Sequence, residues 1–592
     1  MRFLLRRSAI FLPLLSAVLF LSEAAAWAAA PSTPSAPAPN LVLDVMQQEL
    51  TRAMGELKKA DPPPYFLGYS VSEHEYASIS ATQGALYSSA QTRMRTLDVS
   101  VRVGSPALDN THSENRSSGL TSALLPVEDD RDAIARVLWL TTDREYKQAA
   151  RTFLQVKTNS EVRTDEEDQS PDFSQEQAQS HVAPQVSIDG FDRAAWETKV
   201  RRYSALFVKY PEVYRSVVTL TVDNFTHYFI SSEGARIESQ RPQIRLIIYA
   251  ETRADDGMEL LRNETFDGST FDRLPSDAVV EAKVQKMAED LKNLRQAPLV
   301  EPFSGPAMLS GRAAAVFFHE VLGHRLEGQR QRGDQEGQTF TKKVDQEVLP
   351  TFLSVVDDPT QRQLNGVELS GWYDFDDEGV PAQRTEVVKD GILRQFLMSR
   401  MPIKGFSKSN GHGRAQDNYV PVGRQGNLIV TSSKTVPDAQ LREMLIAEIK
   451  KQKKPYGLYF EDIAGGFTLT TRQLPQAFQV LPLMVRRVYP DGRPDELVRG
   501  VDIVGTPLAS LNRLVLTGDT TQVFNGVCGA ESGYVPVSAA SPAILFSELE
   551  VQKKAKSNTR PPILPPPAFE KVPPPGSAPV PPLAGQKPGV KP

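Results

Sequence analysis

The sequence predicts an α+β protein, in which an N-terminal mixed α/β lobe precedes a C-terminal, largely antiparallel β domain that forms a partial barrel. Up to about residue 300, segments with helical spacing of apolar residues are interspersed with alternating apolar and polar runs. Beyond that point the chain consists mostly of short alternating runs broken by Gly and Asp. A length of 592 residues exceeds what one ordinary core serves, so we expect two large domains.

The first 30 residues have the three parts of a secretory signal peptide. Three arginines stand within the first seven residues, an apolar run covers residues 10–21, and small residues with Ala-x-Ala sites follow at 24–30. The apolar run is too short for a typical membrane span. We therefore expect a cleaved signal and an exported protein, periplasmic or extracellular, without a transmembrane span after signal removal. A linker of Pro, Ala and Ser follows at residues 31–40.

The N-terminal α+β domain is expected to cover residues 41–300. Apolar residues at helical spacing predict its helices, and alternation predicts its strands. The helices are predicted at residues 43–57, 129–156, 192–208 and 276–295, and the strands at 96–103, 216–230 and 243–252. Residues 158–185 are polar, rich in acidic residues and short of large apolar ones, so a mobile polar insertion is predicted there.

The C-terminal domain is expected to cover residues 301–555. Its sequence contains an apolar, helix-compatible stretch at residues 313–318 and a clear helix at 438–450, among runs that read as strands. Residues 556–592 are rich in Pro and lack large apolar clusters. They predict a disordered, extended tail that acts as a spacer or as a contact with a partner.

Charge and cysteine content limit the classes of function. The formal net charge is −5, and loss of residues 1–30 would remove three arginines and one glutamate, which takes it to −7. Proteins that bind nucleic acid usually present a basic surface, so nucleic acid is not an expected partner. The chain has one cysteine, which has no intrachain partner for a disulfide in an oxidising compartment.

The most informative motif is His319-Glu320-Val321-Leu322-Gly323-His324, which places two imidazoles and a carboxylate in one short segment. Such a group can hold a divalent metal and act on the water bound to it. The histidines lie five residues apart rather than the four of the HExxH motif, so a regular helix would aim them about 140° apart. We expect an irregularity that closes this gap. Gly323 could end or distort the helix, and a π-bulge is the alternative.

A third protein ligand is needed, and Cys528 is the first candidate. Thiolate and imidazole together suit zinc, and three protein ligands leave the fourth tetrahedral position for water. Glu327 and His412 are rivals for this position. A lone cysteine is otherwise most often a small buried hydrophobe, so the residues alone leave the choice open.

Several ordered motifs resemble the TldD/PmbA family of zinc metallopeptidases. Residues 305–328 are similar to the zinc motif of its TldD branch, and the likeness spans most of residues 303–550; it continues through residues 374–385, 410–414, 501–519 and 526–529. The resemblance implies that His319, His324 and Cys528 bind one zinc ion per chain and that Glu320 is catalytic. It also implies assembly with a related chain that lacks the motif, with a homodimer as the simpler alternative.

The expected activity is zinc-dependent hydrolysis of peptide bonds in unfolded or flexible peptides. Zinc would lower the pKa of its bound water and Glu320 would accept the proton as general base. An open sheet edge near the zinc would let the peptide bind as an added strand. His412 and Arg414, in a Gly-rich stretch, are candidates for substrate contact. The alternatives are a zinc-binding modulator or partner subunit without hydrolysis of its own, and a metal-dependent hydrolase of another amide.

Overall fold

The computed structural model describes residues 40–112, 120–160, 169–184, 188, 190–332, 337–471, 477–554 and 561–564. The predicted signal peptide, all but the last residue of the linker and all but four residues of the Pro-rich tail lie outside the described residues. From Leu41 onward the chain forms one compact unit, so a domain boundary near residue 300 stays a prediction. No helix in the described part of the chain is both long and apolar enough to span a membrane.

An antiparallel sheet with helices on one face forms the N-terminal part, and its eight strands, counted within the described residues, lie between residues 64 and 268. The strands are β1 (Pro64–Thr82), β2 (Ala85–Ser105), β3 (Leu108–Asp109), β4 (Leu120–Leu125), β5 (Ser180–Val182), β6 (Arg215–Ser231), β7 (Arg236–Arg253) and β8 (Glu259–Gly268). The spatial order is β3-β2-β1-β6-β7-β5, with β4 beside β2 and β8 beside β7. Only β5 runs parallel to its neighbour.

Four helices cover one face of this sheet. They are α1 (Leu41–Leu57), α2 (Arg131–Ser160), α3 (Arg193–Ala205) and α4 (Asp277–Gln296), each within a few residues of its predicted position. Side chains alternate between the two faces of a strand. In β1 the residues Leu67 and Val71 pack with α1 and α2, and Ile79 packs with α3 and α4. All the helices therefore lie on the same side, and the other face is free to contact the C-terminal part.

The C-terminal part contains a larger sheet that closes on itself. Its elements in chain order are β9 (Phe303–Leu309), α5 (Gly311–Val321), β10 (Leu353–Asp357), β11 (Gln363–Leu364), β12 (Val367–Glu368), β13 (Thr385–Lys389), β14 (Ile392–Leu393), β15 (Gly413–Arg414), β16 (Val422–Gly423), β17 (Asn427–Ser432), β18 (Thr435–Val436), α6 (Asp438–Lys451), β19 (Gly457–Thr468), β20 (Phe478–Val488), β21 (Glu496–Val498), β22 (Val501–Gly505), α7 (Pro507–Leu511), β23 (Leu514–Ala530) and β24 (Gly533–Lys553). The strands β11 with β12, and β15 with β16, form two small separate ladders.

Five strands of the described chain close a barrel in the order β9-β19-β20-β22-β24, because β24 pairs again with β9. The α+β class is confirmed, and the expected partial barrel is a closed one. Helix α5 packs against β24, β19 and β23, and its side chains Phe317 and Phe318 lie in the largest hydrophobic core. The barrel thus supports the helix that carries the metal-binding motif.

Residues 172–174 of the predicted mobile insertion are buried, whereas the other residues described between 169 and 184 are exposed or half-buried. Helix α2 continues to Ser160, and Asp172 is fully buried. Arg332 from the C-terminal part lies 3.1 Å from the Asp172 carboxylate, and the ring of Phe173 lies 4.9 Å from that of Phe66. These contacts hold one short part of the segment, and the mobility of residues 158–185 as a whole stays a prediction.

Candidate metal centre

Helix α5 ends between the two histidines of the motif. The Ser310 side chain accepts a hydrogen bond from the Ala313 amide at 3.1 Å and caps the start of the helix. The helix stops at Val321, and a 3₁₀ turn covers Gly323–Arg325. This turn brings His324 back toward His319, with ring centroids 4.9 Å apart. The irregularity that the five-residue spacing requires is therefore a helix end followed by a tight turn, and not a π-bulge.

Gly323 is needed at this turn because another side chain approaches it closely. A Cβ at this position would lie 1.9 Å from Oε1 of Gln425. Its φ lies outside the left-handed region, so conformational freedom is not the reason for glycine. Gln425 in turn donates from Nε2 to the carbonyl oxygen of His319 at 3.4 Å. The glycine thus makes room for a residue that holds the helix end.

Cys528 lies opposite the two histidines on β23. Its Sγ is 3.3 Å from Nε2 of His319 and 3.4 Å from Nε2 of His324, and the three possible ligand atoms all lie within 4.8 Å of one another. Zinc at about 2.0 Å from nitrogen and about 2.3 Å from sulfur, in tetrahedral geometry, separates these atoms by about 3.5 Å. Two imidazoles and a thiolate at these separations fit a zinc ion.

The charges of this cluster stabilise one another. Burial by itself disfavours a thiolate, but the two neighbouring imidazoles outweigh it and hold the pKa of Cys528 well below its ordinary value. Burial also opposes protonation of the imidazoles, yet the thiol and nearby carboxylates raise the pKa of both His319 and His324. The cysteine is thereby prepared to act as a thiolate ligand.

Glu327, a predicted rival for the third ligand position, has a different contact. Its side chain is fully buried, and Oε1 lies 3.0 Å from Nδ1 of His324, the ring nitrogen that faces away from Cys528. Its other oxygen accepts a hydrogen bond from Nε of Arg330 at 2.7 Å. Burial raises the pKa of Glu327, but His324 and Arg330 outweigh it and hold this pKa below its ordinary value. Glu327 therefore orients the His324 ring.

Glu320 faces the same space as the three possible ligands. Its Oε2 lies 3.9 Å from Nε2 of His324, and burial raises the pKa of its carboxyl. Gly466 of β19 lies against it, since a Cβ there would be 2.7 Å from Cγ of Glu320. Arg325 donates to the carbonyl oxygens of Glu320 and Val321, both at 3.2 Å, and so caps the end of α5.

A cavity of about 450 Å³ opens onto His319, Glu320, His324 and Cys528. Residues 464–468 of β19 form one wall and residues 524–530 of β23 form another, while Arg245 and Thr265 of the N-terminal sheet lie at the side. Beyond Phe460, β19 no longer pairs with β9. Past Gly518, β23 pairs only with β24 among the strands of the described residues. Two open strand edges thus border the cavity.

The candidates for substrate contact, His412 and Arg414, do not line this cavity. His412 is fully buried, with Nδ1 3.0 Å from the carbonyl oxygen of Asn410 and Nε2 3.4 Å from Asp357. Arg414 donates to the carbonyl oxygen of Gln425 at 2.8 Å. Both side chains are buried away from the cavity lining, so nothing here supports substrate contact by either residue, which stays a prediction. His412 is not one of the residues whose donor atoms group at this site, which are His319, His324 and Cys528 among the described residues.

Two further residues hold the backbone of the site in place, and no sequence pattern pointed to them. Arg424 donates from Nη2 to the carbonyl oxygen of Cys528 at 2.8 Å, and its Nε lies 3.6 Å from Glu327. Gln425 holds the carbonyl oxygen of His319, as described above. The sequence does show that Arg424 and Gln425 lie between two glycines, Gly423 and Gly426. Glycines allow another segment to approach the backbone closely, but they do not indicate which segment it is.

Sequence relatives match the C-terminal part of the chain. Residues 304–553 match the C-terminal domain of PmbA/TldA metallopeptidases. A metalloprotease TldD homolog of Haemophilus influenzae is 28% identical over 251 residues, which are 42% of this chain and 48% of that protein. A metalloprotease of Archaeoglobus fulgidus is 29% identical over 269 residues, 45% of this chain and 57% of that protein. The chain thus matches about half the length of these curated relatives.

Solved structures share the fold over most of the chain. A protein described as a modulator of a DNA gyrase from Thermotoga maritima superposes with a TM-score of 0.58 at 14% identity, over 86% of this chain and 100% of that one. TldE from Thermococcus kodakarensis gives a TM-score of 0.57 at 11% identity, with the same coverage. The matched domain and the curated relatives place residues 304–553 in the TldD/PmbA metallopeptidase family, and the solved structures show that the fold is shared over most of the chain.

Proposed function

We propose that the protein is a zinc-dependent metallopeptidase that hydrolyses peptide bonds in unfolded or flexible peptides. One observation carries the proposal. The donor atoms of His319, His324 and Cys528 converge within 4.8 Å of one another, and Glu320 faces the same cavity. A purely structural metal site would not need a buried carboxylate beside its ligands and a cavity of this size. The name of a Saccharolobus solfataricus relative, a zinc metalloprotease TldD homolog, gives further support.

The chemistry follows from the residues around the cavity. A bound zinc ion would supply Lewis-acid polarisation of a carbonyl group and a water of lowered pKa. Glu320 accepts the proton from the attacking water and passes it to the leaving amine. Glu327 keeps the His324 ring oriented through the bond to Nδ1. Arg325 fixes the helix end on which Glu320 stands.

The two open strand edges favour an extended polypeptide as substrate. A peptide that lies between β19 and β23 can form backbone hydrogen bonds to either edge, which selects for an extended chain more than for a particular sequence. Gly465 and Gly466 in one wall, and Gly526 and Gly529 in the other, leave the backbone accessible. A compact protein cannot present such a strand, so folded substrates are expected to be resistant.

The test is hydrolysis of an unstructured peptide by the purified protein, with metal content measured alongside. Glu320→Gln is expected to retain zinc and lose hydrolysis, whereas His324→Ala loses both. Glu347→Gln removes an exposed carboxyl elsewhere and serves as the matched control with unchanged activity. Undiminished hydrolysis by zinc-loaded Glu320→Gln would reject this residue as the base. If the wild type binds zinc but cuts neither peptides nor other amides, the modulator alternative replaces the peptidase.

Export and assembly are part of the same proposal. The basic and apolar segments of residues 1–30 support export to the periplasm or beyond, which cell fractionation tests. The resemblance of residues 303–550 to the TldD/PmbA family supports assembly with a related chain that lacks the metal motif. Mass measurement of the protein isolated from its own host distinguishes this heteromer from a homodimer or a monomer.

A further inference from the structure

The outward surface of α2 combines cations with exposed apolar side chains. We call this the basic face of α2; its members are Arg136, Trp139, Leu140, Arg144, Lys147, Arg151 and Leu154. The exposed fractions are 45% for Trp139, 40% for Leu140 and 56% for Leu154. An exposed tryptophan and two exposed leucines on one helix are more apolar surface than a solvated helix needs.

Helical spacing explains why these residues share one surface. Successive members of the face are three or four residues apart along α2: Arg136, Leu140, Arg144, Lys147, Arg151 and Leu154. Residues at this spacing lie along the same side of a helix. The opposite side carries Ile134, Leu138 and Ala149, which are buried in the core against β1 and β2. The basic face is therefore directed away from the sheet by the packing of α2 itself.

The cations of this face are largely uncompensated. No carboxylate of the described residues pairs with Arg136, Arg144 or Arg151, while Lys147 lies 2.7 Å from Asp143 of the same helix. The guanidinium of Arg136 lies 5.7 Å from the centre of the Trp139 ring. This surface carries four cations against two acids, Asp132 and Asp143, whereas the net charge of the whole chain is −5. Their field favours an anionic partner.

We propose that the basic face of α2 docks on an anionic lipid surface. Tryptophan and leucine side chains enter the headgroup boundary, while the long Lys and Arg stems let the charges reach the phosphates. Each cation near such a surface strengthens the binding. A single outward helix is convex and has no groove for a peptide, and a second copy of the same cationic face would be repelled. Lipid therefore fits this surface better than a partner chain does.

Docking in this way leaves the metal cavity open. In β7 the side chains of Ile244, Leu246 and Ile248 pack against the helices. The side chain of Arg245 points to the opposite face of the sheet, where it lines the cavity. The helices, α2 included, lie on one side of the sheet and the cavity lies toward the other. A protein held on a membrane through α2 would thus present its cavity to the surrounding solution. The inference does not depend on the proposed peptidase activity.

Vesicle sedimentation tests the proposal. From Leu41 onward the chain forms a compact unit by itself, so the protein is used without residues 1–30, whose apolar run would itself bind lipid. We expect sedimentation with vesicles of phosphatidylcholine mixed with phosphatidylglycerol, but not with phosphatidylcholine alone, and release by salt. The double variant Arg144→Glu with Arg151→Glu is expected to bind roughly tenfold more weakly or worse. Trp139→Ala should weaken binding at all salt concentrations.

A matched double variant, Lys342→Glu with Lys450→Glu, changes the net charge equally at exposed sites of the C-terminal part. It should bind vesicles much as the wild type does, and circular dichroism should report the same fold for both double variants. Equal loss of binding in the two double variants would mean that only net charge matters and would overturn the proposal. Absence of binding by the wild type, or binding to an acidic polypeptide but not to vesicles, would overturn it as well.

Discussion

Oε1 of Glu327 lies 3.0 Å from Nδ1 of His324, on the side of the ring that faces away from Cys528. Such a contact fixes the tautomer and the direction of a histidine that binds metal through its other nitrogen. We therefore expect Glu327→Gln to reduce zinc affinity by roughly tenfold to a hundredfold, because a neutral amide holds the ring less firmly. Competition with a chromophoric chelator measures this affinity.

A matched variant separates this effect from a change in the surrounding charges. Glu531 also accepts a hydrogen bond from Arg330, at 2.8 Å, but its hydrogen bonds with Gln329 and Arg330 do not involve any of the three possible ligands. Glu531→Gln should leave zinc affinity within about twofold of the wild type, as surface changes usually do little. Equal loss of affinity in both variants would show that Arg330, and not the bond to His324, controls the site.

Removal of the metal should lower stability. Zinc that binds the folded state stabilises it by about 3 kcal/mol when its free concentration is a hundredfold above Kd. A chelator should therefore lower the melting temperature of the wild type in differential scanning calorimetry. In Cys528→Ala the same chelator should have little effect, since a ligand is already lost. A melting temperature that does not respond to chelator or to added zinc in the wild type would argue against a resident metal.

Gly323→Ala should damage the site through Gln425. The new Cβ would lie 1.9 Å from Oε1 of Gln425, so that side chain must move and its bond to the His319 carbonyl oxygen is lost. We expect a loss of about 1–2 kcal/mol in the free energy of unfolding and weaker zinc binding. Gly55→Ala is the control, because nothing lies within 4 Å of its Cβ and alanine favours helix. The double variant Gly323→Ala with Gln425→Ala should bind zinc as Gln425→Ala does.

Gly466→Ala should reduce hydrolysis without removing the metal. Its Cβ would lie 2.7 Å from Cγ of Glu320 and 2.9 Å from the carbonyl oxygen of Gln479 in the paired strand. Displacement of the Glu320 carboxylate by a fraction of an ångström or more is expected to lower kcat by roughly tenfold to a hundredfold. Zinc content should stay at the wild-type level. Normal kcat in this variant would place Glu320 outside the reaction.

Local sequence patterns predicted those parts of the molecule that depend on local structure. The helices came from apolar spacing, and the metal-binding motif from two imidazoles and a carboxylate within six residues. Donor chemistry made Cys528 the first of three candidates for the third ligand, and the family resemblance favoured it over Glu327 and His412. These inferences need no knowledge of which distant strands pair, which is why they could be made from the chain alone.

Contacts between residues far apart in the chain could not be predicted from the sequence. Barrel closure rests on pairs such as Leu309 with Ile544, which have no mutual signal in one sequence. The strand Pro64–Thr82 was missed because a proline cluster precedes it, although proline is tolerated at the first residue of a strand. Burial of His412 was missed for a similar reason, since its partner Asp357 lies 55 positions earlier in the chain.

The buried carboxyl of Glu145 in α2 should make stability fall as pH rises. The side chain is 1% exposed, and burial raises its pKa to about 7, against the hydrogen bond from Thr121 that lowers it. Between the unfolded value of about 4.5 and this folded value, the unfolded chain ionises while the folded protein keeps its proton. The folded state then binds more protons, so the free energy of unfolding decreases with pH in this window, by up to about 3 kcal/mol.

Glu145→Gln removes this titration while it keeps the shape of the side chain and a hydrogen-bond acceptor for Thr121. Urea unfolding of both proteins from pH 5 to about 8 should give a smaller decrease for the variant, which becomes the more stable of the two above pH 7. Because many other groups titrate in this range, the difference between the two curves is the quantity to compare. If this difference does not change with pH, the pKa of Glu145 is the same in the folded and the unfolded protein. Its burial would then have no effect on the pH dependence of stability.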